Sequence, residues 1–238
     1  MNILVAAGNT QTPIDAVRCI TNVFTGRTGA RLATEATNRG HHVTLVTSHP
    51  EQILQPTSIS VVPYRTYHDL DSCAEVLIRH KSWDAIIFAA AVSDYHLSGV
   101  YSRSENDQQV LSEQALTALD TNNKISSQHQ ELWLKLTPTV KIIDQIRTTW
   151  GYRGLLVKFK LEVGITAPEL LEIAKRSRAT SDADWIVANL FENYQTTAWI
   201  GDRNDQFISV QREQLSTVLL DQLEQKFTSD PQFASCES

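Results

Sequence analysis

The chain has 238 residues, 42% hydrophobic and 20% charged, with a formal net charge of −6 at pH 7, which is enough material for one large core and is read as a single domain. The negative balance excludes a general nucleic-acid surface, which needs clustered Lys and Arg, so an anionic ligand has to be met by a local basic pocket. Cys19, Cys73 and Cys236 lie far apart without zinc-site spacing, the N-terminus has no basic signal region, and no run of about eighteen apolar residues occurs. Reduced thiols in a cytoplasm are therefore expected, with no secretion and no membrane span.

Residues 2–8 (NILVAAG) read as a buried strand, and residues 29–40 as a helix with Leu32, Ala33 and Ala36 on one face before a glycine stop. Residues 41–48 form a second strand. Strand, glycine-bearing loop, helix and strand make a right-handed βαβ unit whose ligand crevice lies at the carboxyl end of the first strand. A strand over 58–66, a helix over 70–80 and a strand over 84–95 (DAIIFAAAVSDY) continue the alternation, so the class is α/β. Residues 96–130 are polar, aperiodic and too long for a plain connection, as lids or disordered segments are. Residues 131–136 read as a strand, followed by a helix with Thr137 as cap, Pro138 in the first position and a stripe of Val140, Ile143 and Ile146. A strand (154–162), an amphipathic helix (167–181), a strand (183–190), a hairpin turning across 201–206 and a closing helix (212–227) complete the pattern. Residues 228–238 read as a frayed tail.

The segment after the first strand, GNTQTPID, does not spell G-x-G-x-x-G, because Gly26 and Gly29 come eighteen residues or more after Gly8. The second strand ends in Thr47, Ser48 and His49 instead of the acid that a nicotinamide dinucleotide's ribose requires, which weighs against a dehydrogenase. Gly26 and Gly29 either bring backbone N–H groups to a phosphate at a helix start or merely permit a tight turn. In AAAVSDY the alanines leave backbone uncovered for a flat ligand, while Ser93 and Asp94 offer acceptors; Asp94 as a turn cap is the plainer alternative. Lys124, in NNKISS, reads by position as a solvated cation. Lys175, Arg176 and Arg178 fall within about one helical turn, either as a phosphate clamp or as a solvated face.

Taken in order and at their spacings, GNTQTPIDAVRCITNVFTGRTG, AAAVSDY, NNKISS, VKFKLE and DWIVANL resemble the phosphopantothenoylcysteine synthetase (phosphopantothenate-cysteine ligase) family over residues 2–227. The likeness is greatest to the stand-alone bacterial form, since no flavin-binding decarboxylase segment precedes Met1 and no flavin is expected. The resemblance implies a Rossmann-like, mostly parallel sheet flanked by helices, with a C-terminal β-hairpin and a long flap near 96–130, in one ligase domain over 1–227. It implies a homodimer that activates 4′-phosphopantothenate with CTP or ATP and Mg²⁺, releases pyrophosphate, and joins the acyl-nucleotide to L-cysteine. Charge stabilisation and positioning then carry the reaction.

Residue by residue, the resemblance implies that Asn22 contacts the acyl-nucleotide and that Lys124 is a lid cation over the reacting centre. Gly26, Arg27 and Gly29 would seat the phosphopantothenate phosphate, with Arg18 near the subunit boundary. Gly8, Ala91, Asp94, Phe159, Lys160 and Asn189 would surround the nucleotide, and Lys175, Arg176 and Arg178 its phosphates; metal ligands stay unassigned. The chain departs from the family's AGGTxExID loop at Asn9, in place of the second glycine, and at Thr12, near the acid. Phe24 replaces a serine and Thr180 a lysine. Asparagine tolerates positive φ, so the turn at Asn9 is expected to survive. Two other classes remain, a nicotinamide-dependent oxidoreductase and a non-catalytic nucleotide-binding relative, the latter disfavoured by intact Asn22, Asp94 and Lys124.

Overall fold

Alternating burial along the first strand sets the layers of the molecule. In a computed structural model that describes residues 1–53, 58–103 and 116–230, β1 (Asn2–Ala7) points Ile3, Val5 and Ala7 to one face of a sheet and Leu4 and Ala6 to the other. Both faces are covered, as a parallel sheet requires. The chain continues through β2 (Gln11–Pro13), β3 (Cys19–Thr21), α1 (Arg27–Asn38), β4 (His42–Thr47), β5 (Ser60–Pro63), α2 (Tyr67–His80) and β6 (Ala85–Phe88). It then forms β7 (Tyr95–Arg103), β8 (Leu116–Ala118), β9 (Trp133–Pro138), α3 (Ile142–Thr148), β10 (Leu155–Glu162), α4 (Ala167–Thr180) and β11 (Trp185–Leu190). A hairpin of β12 (Thr197–Gly201) and β13 (Phe207–Gln211) and the helix α5 (Leu215–Ser229) close it.

The large sheet has the order β13-β12-β11-β10-β6-β1-β4-β5, parallel from β5 to β11 and antiparallel in the final hairpin. The α/β, Rossmann-like expectation is met, and so is the C-terminal hairpin. The strand order reverses between β1 and β6, so their connections diverge and leave a crevice at the carboxyl ends. One face is covered by α1 and α5 through Leu32, Ala33, Ala36, Leu219 and Leu223, and the other by α2 and α3 through Leu70, Ala74, Ile78, Ile142 and Ile146. On that second face α4 sets Leu170 and Ala174 against Ile186 and Ala188. Among the described residues no helix is long and apolar enough to cross a membrane.

Four sequence expectations are corrected. The strand expected over 84–95 is two elements, because β6 stops at Phe88 and Tyr95 opens β7 in a different sheet. That sheet, β8-β7-β9, takes up residues 96–103 and 116–118 of the polar stretch read as a flap; residues 104–115 lie outside the described residues. Thr137 and Pro138 end β9 opposite His96 and Tyr95, so the helix starts later, at Ile142; the Thr137 hydroxyl meets His96 and Val140 is exposed. The closing helix runs to Ser229, with the Thr228 and Ser229 hydroxyls bonding back to the Glu224 and Lys226 carbonyls. The rest of the expected tail, including Cys236, lies outside the described residues.

At the edge of the sheet opposite the crevice, buried Arg147 donates to the Asp184 carboxylate at 2.7 Å and to the carbonyls of Tyr152 and Asp182 at 3.0 and 3.1 Å. The same carboxylate accepts from the Leu156 amide at 2.7 Å and from Arg203 Nε at 2.6 Å, which joins α3, β10, β11 and the terminal hairpin. Breaking such a pair leaves a buried cation uncompensated. Asp184→Ala is expected to cost about 3–5 kcal/mol of unfolding free energy, read from urea denaturation; a loss below about 1 kcal/mol would mean that the pair is no stronger than a surface bridge.

Candidate functional site

The floor of the crevice is made by backbone approaching backbone. Gly8 leaves β1 with φ 92° and Gly26 precedes α1 with φ 80°. A Cβ on Gly26 would stand 2.4 Å from the Gly8 nitrogen, and one on Gly29 would stand 2.3 Å from Ala7 Cβ. Only glycine fits at either place. Turn, close approach and helix-to-strand packing are the tasks of the three glycines in a dinucleotide fingerprint, and here they fall to Gly8, Gly26 and Gly29. Residues 9–25 intervene as the β2–β3 excursion, whose antiparallel pairing of Gln11 with Thr21 closes its base. The motif missing from the linear sequence is thus present in space, interrupted by an insertion.

Above this floor, Arg212, at the threshold of α5, donates from Nη1 to Asn189 Oδ1 at 3.1 Å and from Nη2 to the Thr28 hydroxyl. Neither partner carries charge. Burial, together with the like charges of Arg31 and Arg27, moves the Arg212 pKa downward. The guanidinium groups of Arg27, Arg31 and Arg212 therefore act on one another at the start of α1, with no acid bonded to Arg212 among the described residues, and an anion would relieve their repulsion. Sequence reasoning missed Arg212 because 184 positions separate it from Thr28. Asn189, expected at a base or ribose, presents Oδ1 to Arg212. Phe159 packs against the core on the α1 side, and Lys160 pairs with Glu162 at 2.9 Å, both beyond the last pairing of β10 with β6.

On the β6 side the predicted residues do meet. Asn22 Nδ2 donates to the Ala91 carbonyl at 2.9 Å, and the Ala91 amide donates to the Gly8 carbonyl at 2.8 Å. Asp94 is exposed at the same edge, its carbonyl accepting from the Thr139 amide at 2.9 Å. Ser93 is committed internally, its amide donating to the Thr10 hydroxyl at 2.8 Å and its own hydroxyl to the Tyr95 carbonyl at 2.7 Å. Thr12, one of the departures, is buried and directs its hydroxyl to Ser93 and the Tyr95 carbonyl. Phe24, another, meets Phe191 and Tyr194 edge-on at 6.3 and 5.4 Å. Asn9 has no positive φ, so the expected use of its conformational tolerance is incorrect; Gly8 alone makes the turn.

Lys124 is exposed, but its neighbour is anchored. The Asp15 carboxylate, with no exposed surface, accepts from the amides of Val17 and Arg18 at 2.8 Å each and from the Ile125 amide at 3.1 Å. The Arg18 guanidinium beside it, helped by these amides, holds Asp15 well below the usual carboxylate range. Arg18 also donates to the Ile125 carbonyl at 2.9 Å. Both backbone groups of Ile125 are thus gripped by the β2–β3 excursion, which fixes the chain next to Lys124. Arg18, expected near the subunit boundary, is bonded to Asp15 and Ile125 of its own chain.

Lys175, Arg176 and Arg178, expected to clamp a triphosphate, all lie on α4 and outside the floor described above. α4 starts at the carboxyl end of β10 and carries these residues toward the opposite edge of the sheet. There Arg178 is buried, bonded to the Ala183 carbonyl at 3.2 Å and paired with Asp205 at 3.0 Å, while Lys175 pairs with Glu172 at 2.6 Å. Thr180 belongs to the same remote turn, so its departure from lysine does not bear on the crevice.

Residues 1–121 and 117–226 match the family described as DNA/pantothenate metabolism flavoprotein, C-terminal domain. The coenzyme A biosynthesis bifunctional protein CoaBC of Thermococcus kodakarensis is 32% identical over 193 residues, which is 81% of this chain and 42% of that protein. Its Escherichia coli namesake is 27% identical over 189 residues, 79% of this chain and 41% of that protein, so the chain spans about two fifths of these curated relatives. The structure of the DNA/pantothenate metabolism flavoprotein from Streptococcus pneumoniae aligns with a TM-score of 0.79 and 29% identity, over 94% of this chain and 99% of that one. A Cab2 mutant in complex with phosphopantothenate-cysteine shares the fold, with a TM-score of 0.67 and 16% identity over 94% of this chain and 85% of that one. The family match over nearly the whole chain and the agreement in fold lead to one conclusion: this chain belongs to the DNA/pantothenate metabolism flavoprotein C-terminal domain family.

Proposed function

We propose that the chain is a phosphopantothenate-cysteine ligase of coenzyme A biosynthesis, acting through an acyl-nucleotide. The observation that carries this reading is the contact chain Asn22–Ala91–Gly8–Gly26 ending beside Arg212. It sets an amide that can face a reacting acyl group on the same floor as an uncompensated cation that can hold a phosphate. The names of the CoaBC relatives and the ligand of the Cab2 structure support the same chemistry.

In the first step a carboxylate oxygen of 4′-phosphopantothenate attacks the α-phosphorus of CTP or ATP, and the bond to pyrophosphate breaks. In the second, the cysteine amine attacks the acyl carbon, the bond to the nucleotide oxygen breaks, and the nucleoside monophosphate leaves with the electron pair while the amine loses a proton. Arg212, Arg27 and the amides at the start of α1 hold phosphate oxygens. Asn22, with Nδ2 on Ala91, keeps Oδ1 to orient the attacking amine, and Lys124 steadies the charge that develops at the acyl phosphate. Gly8, Ala91, Asp94, Phe159 and Lys160 border the nucleotide. Mg²⁺ would neutralise the triphosphate oxygens, and Asp94, exposed at the edge of the crevice, is an acid that could help to hold it.

A two-fold dimer is part of the proposal, since Val17, Ile20, Val23, Tyr95, Trp133 and Leu136 of the two small sheets and their loops are exposed apolar surface. The free thiols Cys19 and Cys73 suit a reducing cytoplasm. A nicotinamide oxidoreductase is disfavoured because Ser48 and His49, where a ribose-binding acid would stand, are turned onto Asn9.

The test is pyrophosphate release from Mg²⁺ with CTP or ATP and 4′-phosphopantothenate, with and without cysteine. Release that requires phosphopantothenate, and amide product that requires cysteine, are expected; release without phosphopantothenate would point to a plain nucleotide hydrolase. Lys124→Gln is expected to lower kcat about a hundredfold with nucleotide Kd within about threefold, and an equal change in both would deny it a role in the developing charge. Arg212→Ala is expected to raise the KM of the substrate whose phosphate it holds by about tenfold or more. Unchanged KM for both substrates would remove Arg212 from the site.

A further inference from the structure

Asn9, which departs from the glycine expected at that place, has both ends of its side-chain amide engaged. Nδ2 donates to the main-chain carbonyl of Asn22 at 2.5 Å, while Oδ1 accepts from the Ser48 hydroxyl at 3.3 Å and from His49 Nε2 at 3.1 Å. The Asn9 amide in turn donates to Ser48 Oγ at 2.9 Å. The orientation of the Asn9 amide is dictated by its partners, because a carbonyl can be met only by the NH₂ end. With the oxygen end facing the ring, Nε2 of His49 must carry hydrogen. The other ring nitrogen lies 2.7 Å from the Glu51 carboxylate, which keeps the imidazole turned toward Asn9. With glycine at position 9, the Asn22 carbonyl would retain only a marginal contact of 3.5 Å from the Thr21 hydroxyl.

The result is a bracket running from the end of β4, through the end of β1, to the loop that carries Asn22, whose own side chain reaches the end of β6 at Ala91. We propose that Asn9, oriented by His49 and Ser48, is a positioning residue of this chain, setting the backbone of Asn22 so that its amide faces the reacting acyl group. This inference rests on the role given to Asn22 above. Small misplacements of a reacting or orienting group are costly because near-attack geometry is narrow, so the effect belongs in turnover and not in affinity.

The experiment compares kcat, KM and unfolding midpoint for the wild-type protein, Asn9→Ala, Asn9→Gly, His49→Gln, His49→Ala, Asn22→Ala and the Asn9→Ala/Asn22→Ala pair. Asn9→Ala and Asn9→Gly are expected to lower kcat about tenfold with KM for nucleotide and phosphopantothenate within about twofold. His49→Gln, whose amide can still donate to Asn9, is expected to stay nearer wild type than His49→Ala. In the Asn22→Ala background, Asn9→Ala is expected to add nothing. Wild-type kcat in Asn9→Ala, or the same fold-loss in both backgrounds, overturns the proposal. Full turnover by Asn22→Ala overturns the assignment of Asn22 itself, a different failure. Deuterium exchange over residues 19–26 reads the bracket without any activity assay: it is expected to quicken in Asn9→Ala and His49→Ala and not in His49→Gln, and unchanged exchange overturns the bracket.

Discussion

The approach of Gly26 to Gly8 is the constraint from which the rest of the crevice follows. With 2.4 Å between a Cβ added at Gly26 and the Gly8 nitrogen, the start of α1 can lie against the end of β1 only if position 26 lacks a side chain. That contact aims the first amides of α1 into the gap where the strand order reverses, and it brings Thr28 under Arg212 and Ala7 against Gly29. An interaction that consists of nothing but excluded volume and backbone thereby fixes where the N-terminus of α1 opens, the kind of place that favours anions.

Charge is distributed in keeping with this geometry. At the edge away from the crevice every prominent buried arginine is answered: Arg147 by Asp184, and Arg178 by Asp205, with exposed Arg203 shared between Asp182 and Asp184. These bonds fasten helices and the terminal hairpin, and their cations are unavailable to a ligand. At the crevice Arg212 is held by a hydroxyl and an amide oxygen, groups that orient a guanidinium without neutralising it. Arg212 thus differs from the two buried arginines in the chemistry of its partners.

Two insertions elaborate the plain sheet, both at its carboxyl edge: the β2–β3 excursion after β1 and the β7–β9 sheet after β6. Each is small for independent stability, and they are tied to one another. Asp15 gathers the amides of its own turn and that of Ile125, and Arg18 closes the ring on the Ile125 carbonyl. The segment that bears Lys124 is therefore anchored at one residue while its lysine stays exposed.

The sequence by itself determined the element types, the α/β class and the opening βαβ unit, because burial periodicity, glycine stops and turn chemistry act over a few neighbouring positions; Asn22 was named by family resemblance alone. It was misleading where a local signal had two physical meanings: Pro138 can open a helix or end an edge strand, and AKRSR can clamp phosphate or fasten a hairpin. Pairing with β7 decided the first, and the carboxylate of Asp205 the second. Only the tertiary structure assembled Gly8, Gly26 and Gly29 into one floor, set Arg212 on Thr28, closed Asp15 on Ile125 and turned His49 onto Asn9. Each of these joins residues from 18 to 184 positions apart, and contacts at such separations leave no period or spacing in the chain; they exist because parallel strands collect their carboxyl ends, and the loops that follow them, along one edge of the sheet.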